Sequence, residues 1–219
     1  MRANKPLPPT PLTYLITKGD SNTSNFNEKK AEILEALRVS IESGIKLFQI
    51  REKQLTAKLL FELVSEASSI ARGTGTKLLV NDRADIAMAA KADGVHLPVN
   101  SVSADVIRRN FPADFIIGVS AHSLAEAESA AKQGADFVVY GPVFETPGKS
   151  EPLGLDELRR VCKSLSGFPV IALGGINETN YRSVLDHGAS GFAAIRFLSN
   201  LTGAQAGRLR SSLYDNAKS

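Results

Sequence analysis

"KLLVNDRADIAMAAKADGVHL", Lys77 to Leu97, packs a strand, a helix and a second strand into one short run. "KLLVND" and "GVHL" are short aliphatic stretches with strand character. The alanine-rich segment between them is helical, so the two strands pair in parallel across a helical crossover. The same alternation runs through the chain. Further strand candidates are "LTYLIT", "KLFQIRE", "FIIGVS", "DFVVYGPV", "PVIALGGI" and "GFAAIRF", most of them separated by amphipathic helical stretches such as "KKAEILEALRVSIESG" and "LAEAESAAKQG". Strands that are apolar at nearly every position imply burial on both faces, as in a parallel sheet covered by helices. Gly44, Gly134, Gly167 and Gly188 stand where left-handed caps end helices. No linker, charge block or low-complexity segment divides the chain. The pattern predicts an α/β fold, a single (β/α)8 TIM barrel over residues 12–219 after an extended proline-rich lead-in over residues 1–11. A doubly wound open sheet is the weaker alternative.

Composition narrows the function classes. With 219 residues, 43% hydrophobic, the chain is long enough for one large domain with a buried core. It contains no apolar window of about 18 residues, so no membrane partner is expected. "MRANKPLPPTPL" lacks the apolar segment of a secretion signal. The single cysteine, Cys162, lies at helical spacing from Leu158 and Leu165 and reads as packing. No disulfide can form within the chain, which fits a reducing cytoplasm. The net charge of +3 is weak and the aromatics are not interleaved with Lys and Arg, so no nucleic-acid partner is expected. The basic residues are suited to a small anion. Homo-oligomerisation is left open.

A barrel directs attention to the C-terminal ends of its strands, where the βα-loops build the site. The second strand candidate finishes in "QIREK", where alternation puts Gln49, Arg51 and Lys53 on one side, two cations and an amide facing a common ligand. "NDRAD" places Asn81 and Asp82 at the mouth and Asp85 in the first helical turn, where a carboxylate serves structure. One carboxylate makes a weak Mg2+ site unless a ligand's phosphates add oxygens. "GPVFETPGK" offers backbone N–H groups, the Thr146 hydroxyl and the Lys149 ammonium, a set suited to phosphate. The glycines of "LGGI", Gly174 and Gly175, follow the seventh strand, where many barrels bind phosphate.

Taken in order, "YLIT", "QIREK", "NDRADIAMAAKADGVHL", "GVSAHS", "GADFVVYGPVFETPGK" and "PVIALGGI" resemble the family of thiamine phosphate synthase and the thiazole tautomerase TenI, over about Leu12 to Asn200. The resemblance implies one of two reactions. The synthase joins an aminopyrimidine methyl diphosphate to a thiazole phosphate with release of pyrophosphate; the tautomerase shifts a proton within the thiazole phosphate. It also implies that Gln49, Arg51 and Lys53 touch pyrophosphate and pyrimidine, that Asn81 touches pyrimidine or phosphate, and that Asp82 is one of two Mg2+ ligands. Ser120 is implied near the departing pyrophosphate, Thr146 and Lys149 in the phosphate loop, and Gly174 with Gly175 in a backbone phosphate cradle.

The departures from the pattern bear on the choice. Ser101 replaces the second metal aspartate, which leaves Mg2+ with one acidic ligand. Gly148 replaces a hydroxyl residue, and Arg196 stands where a serine helps bind phosphate; its planar fork suits that anion or narrows the pocket. His122, after the fifth strand, carries an imidazole able to take and give a proton near neutral pH, although it is also placed to cap the helix starting near Ser123. His96 is expected to pack or hydrogen-bond inside the barrel, and His187 to partner a helix C-terminus. The missing acid and His122 together favour tautomerase-like proton transfer on thiazole phosphate. The alternatives are the synthase reaction and a non-catalytic phosphate-ligand binding protein, the last disfavoured by the retained cations and Asp82.

Overall fold

The computed structural model describes residues 7–148, 151–201 and 203–214. Its strands are β1 (Leu12–Ile16), β2 (Leu47–Ile50), β3 (Lys77–Asn81), β4 (Gly94–Leu97), β5 (Ile116–Ala121), β6 (Phe137–Tyr140), β7 (Val170–Leu173) and β8 (Gly191–Ala194). They form a closed barrel in sequence order, every neighbouring pair parallel, with β8 returning to β1 in the register Leu12 opposite Gly191. The helices around it are α1 (Phe26–Glu42), α2 (Ala57–Ala71), α3 (Ala84–Ala89), α4 (Ala104–Asn110), α5 (Leu124–Lys132), α6 (Gly154–Ser164), α7 (Tyr181–Asp186), α8 (Arg196–Ser199) and α9 (Gly203–Tyr214). No helix among the described residues is long and apolar enough to cross a membrane.

Strand alternation separates two cores. Leu12, Tyr14, Leu47, Leu79, Ile116, Phe137, Val139 and Ile171 fill the barrel interior. Their neighbours, such as Leu15, Phe48, Val80, Val95 and Phe192, face outward into the larger layer beneath the helices. Interior volume is rationed between positions: a Cβ at Gly118 would stand 2.3 Å from the Phe137 ring and 3.0 Å from His96 Nδ1. This glycine leaves space for two large rings on neighbouring strands.

The helix-to-strand turns repeat one design. Gly44, Gly134 and Gly188 are left-handed, with φ of 73°, 91° and 94°. After each, the next residue's N–H reaches back to the helix: Ile45 to Ser40 O, Ala135 to Ala130 O and Ala189 to Val184 O, at 2.9, 3.1 and 3.1 Å. These bonds satisfy carbonyls that a helix end leaves open, and the following strand starts two residues on. Lys91 occupies the same place after α3 at φ 59°, with Ala92 N–H to Ala87 O at 2.9 Å, so a side chain tolerates the turn there.

A carboxylate also braces the face opposite the mouth. Asp136 Oδ2 accepts from Ile117 N–H at 2.7 Å and from Arg108 Nη2 at 2.7 Å. Arg108 further donates to the Gly134 and Phe115 carbonyls at 2.9 Å each, tying α4 to the segments that start β5 and β6. Removing the guanidinium strands an Asp136 charge that is 23% exposed. Arg108→Ala is therefore expected to lower unfolding free energy by about 3 kcal/mol in urea titration. Arg160→Ala, which removes a surface pair with Glu157 on one helix, serves as the control with little effect.

Candidate active site

The barrel's polar interior layer lies at the mouth. Gln49, 1% exposed, points inward from β2 and donates through Nε2 to Tyr14 Oη at 2.7 Å. His96, 4% exposed, points inward from β4, and its Nε2 pairs with Ser120 Oγ of β5 at 2.9 Å. Tyr14, His96 and Phe137 form an aromatic cluster, with Tyr14 edge-on to Phe137. Burial, with the Arg51 charge as second cause, holds the His96 imidazole down to about 3. It is neutral at physiological pH, inside the barrel as its sequence position suggested.

Alternation carries only Gln49 inward, because β2 ends at Ile50. Arg51, half-buried after the strand, lies near enough for its charge to act on His96 inside the barrel, and Lys53 is exposed. The residue between them is buried instead. Glu52 is 3% exposed and accepts from the backbone N–H groups of Gly19 and Ser21. Sequence reasoning passed over it; an acidic residue beside a buried strand end was the available signal.

At the end of β3, Asp82 takes the left-handed region at φ 62° and its N–H bonds to His96 O at 2.8 Å. Ser101 Oγ donates to Asp82 Oδ1. The position read as a missing acid is therefore in direct contact with Asp82. Asp85 pairs with Arg83 at 2.6 Å, and that hydrogen bond holds its carboxyl below the usual range, a structural use. Among the described residues no group of three or more His, Cys, Asp and Glu is arranged to hold a metal ion. The oxygens present, one Asp82 carboxylate and the Ser101 hydroxyl, are hard donors of the kind Mg2+ accepts when ligand phosphates complete its shell.

The other half of the mouth is a cavity of about 690 Å3 lined by His122, Thr146, Gly174, Gly175 and Arg196, with Asn177 and Gln205 added by the structure. Gly174 and Gly175 have φ of 103° and 63°, and a Cβ on either would come within 2.6 Å of the Pro142 or Glu145 backbone. Only glycine fits here, and the backbone of both residues lines the cavity. Thr146 donates to Phe144 O at 3.0 Å, fixing its loop. Arg196 is exposed, and Lys149 lies outside the described residues.

His122 does not cap α5. Ser123 does so by accepting from Glu126 N–H, while Glu126 accepts from the His122 backbone. The His122 ring instead meets Gly141 O through Nδ1. A carbonyl only accepts, so Nδ1 is the donor of this pair, and in the neutral ring the lone pair falls on Nε2 of a cavity-lining residue. His187 ends α7 with Nδ1 on Ser183 O at 2.6 Å, and Cys162 packs against Gly188 with its thiol pushed up to about 11 by burial.

A family model described as thiamine monophosphate synthase matches residues 13–198. The chain belongs to that family. The thiamine-phosphate synthase of Chloroflexus aurantiacus is 37% identical over 83% of this chain and 82% of that protein. The one from Caldanaerobacter subterraneus subsp. tengcongensis is 37% identical over 76% and 79%. Among solved structures, the thiamine phosphate pyrophosphorylase from Pyrococcus furiosus aligns with a TM-score of 0.78 at 31% identity, covering 92% of this chain and 95% of that one. The chain is an enzyme of the thiamine-biosynthesis family, whose substrates are small molecules.

One pH effect follows from His96. In the unfolded chain its imidazole protonates near 6.5, whereas the folded site resists protonation down to about 3. The stability it contributes is complete above about pH 6.5 and is lost as pH falls toward 3, at about 1.4 kcal/mol per pH unit inside that window. His96→Gln, which still has an N–H for Ser120, is expected to flatten the fall in melting temperature between pH 7 and pH 4. An unchanged profile would remove His96 as its source.

Proposed function

We propose that the chain is a thiamine-phosphate synthase, joining an aminopyrimidine methyl diphosphate to a thiazole phosphate with release of pyrophosphate. The carrying observation is that one barrel mouth has two separate polar surfaces. One is the Gly174–Gly175 cradle with Arg196 around the cavity; the other is the polar rim of β2 to β5, with Arg51 acting on His96 and Ser120 bonded to it. A proton shift within one thiazole phosphate uses only the first. The names of the relatives support the same choice.

On this reading the thiazole phosphate occupies the cavity, its phosphate on the Gly174–Gly175 backbone with Thr146 and Arg196 beside it. The diphosphate lies across Arg51, Lys53, Asn81 and Ser120, with Gln49 beneath the pyrimidine, and the family resemblance is what implies a phosphate-loop role for Lys149. As the C–O bond breaks, negative charge builds on the departing pyrophosphate, and fixed cations and hydroxyl donors stabilise that charge. Mg2+ held by Asp82 would neutralise part of it. Ser101 orients the Asp82 carboxylate and adds no charge of its own.

Purified protein supplied with both substrates is expected to form thiamine phosphate in a Mg2+-dependent manner, followed by chromatography. No product with Mg2+ present would overturn the reading. Ser101→Asp, which restores a second acid, should lower the Mg2+ concentration for half-maximal rate about tenfold, the scale of one added charged ligand. An unshifted Mg2+ curve would exclude Asp82 and residue 101 as the metal site.

His122 favours a second reading, proton transfer on thiazole phosphate, because its Nδ1 bond to Gly141 O leaves Nε2 as a base. Thiazole isomerisation lost in His122→Ala, with condensation intact, would establish that activity. Isomerisation absent from the wild-type protein, or unchanged in the variant, would remove it.

A further inference from the structure

We propose that Glu52 is a positioning residue for the diphosphate half of the site, acting through Arg51; this rests on the synthase reading. The loop after β1 is buried at Thr17 and Ser21, 5% and 1% exposed, and Glu52 is its anchor. Glu52 Oε1 accepts from Thr17 Oγ1 and from Gly19 N–H at 3.1 Å, and Oε2 accepts from Ser21 N–H at 2.9 Å. Among the described residues no lysine or arginine forms an ion pair with it, so loop N–H and O–H donors receive its charge.

The link to Arg51 is direct. Thr17 Oγ1, whose proton goes to Glu52, accepts from the Arg51 N–H at 2.9 Å. Gly19 is left-handed at φ 81°, and a Cβ there would stand 3.1 Å from both Arg51 Nη1 and Arg51 O. The loop backbone that Glu52 holds is thus the surface against which the Arg51 guanidinium rests. A rotatable arginine side chain bound on one side by fixed backbone loses less freedom when it meets an anion, and that ordering is what Glu52 supplies in advance. Nothing in this arrangement reaches the cavity at β6 to β8, so the effect is confined to one of the two substrates.

Glu52→Gln keeps the shape but removes the charge and puts an NH2 where a loop N–H needs an acceptor. Thr17→Val breaks the bridge to the Arg51 backbone and leaves Glu52 in place. Calorimetric binding of inorganic pyrophosphate and of thiazole phosphate to the purified full chain, with the KM of each substrate, separates the cases. Both variants are expected to bind pyrophosphate about tenfold more weakly and to raise the KM of the aminopyrimidine diphosphate alike, with thiazole phosphate affinity near wild type. If Glu52→Gln fails to fold, Thr17→Val carries the same expectation. Wild-type pyrophosphate affinity in a folded variant, or equal weakening of both ligands, would overturn the proposal. Wild-type protein that neither binds pyrophosphate nor condenses the substrates would instead sink the synthase reading, and the role of Glu52 with it.

Discussion

Closing β8 onto β1 makes the inside of the barrel a fixed volume, and the rest of the molecule answers to how that volume is filled. Large rings at Tyr14 and Phe137 are admitted because Gly118 and Ala193 give way beside them. Apolar residues supply the lower filling, and toward the mouth the filling turns polar with Gln49 and His96. Gln49 finds Tyr14 and His96 Nε2 finds Ser120, while His96 Nδ1 stays buried without a partner among the described residues. The floor of the site is therefore set by packing before any ligand arrives.

Above that floor the mouth divides by chemistry. The ends of β2 to β5 contribute charge and hydroxyls, whereas the ends of β5 to β8 contribute a cavity with the Gly174–Gly175 backbone in its wall. Such a division suits a reaction in which one partner gives up a highly charged leaving group and the other is held by a smaller phosphate. It also separates tuning of the two: changes near Glu52 and Arg51 leave the cavity wall untouched.

Most of the fold was legible in the residues. Strand and helix alternation, near-continuous apolar strands and the cap positions Gly44, Gly134, Gly167 and Gly188 all recur in the structure, the glycines each with positive φ. The cavity half of the site was legible too, since Gly174 and Gly175 follow a strand end directly. Two things were not. Alternation was carried past Ile50, where the strand stops, so Lys53 was aligned with Gln49 and the buried Glu52 was missed. Ser101 was read as a vacancy, yet it bonds Asp82 across a separation of nineteen residues, a relation that only the βα-loops create. The balance between the two reactions also shifted: the sequence weighed proton transfer ahead, and the named relatives favour the synthase.

The last helix differs from the others in one respect. Most of the helices before it hand the chain to a strand, so their lengths and ends are bound to the barrel's register. Among the described residues α9 hands the chain to none, yet Gln205 on it lines the cavity, and near its far end Tyr214 bonds Pro11 O at 2.9 Å below β1. Its exposed positions are free of any strand register, whereas Ala206, Leu209 and Leu213 on the same helix are buried, so the segment that lines the cavity is held by packing and not by the barrel's hydrogen-bond ladder.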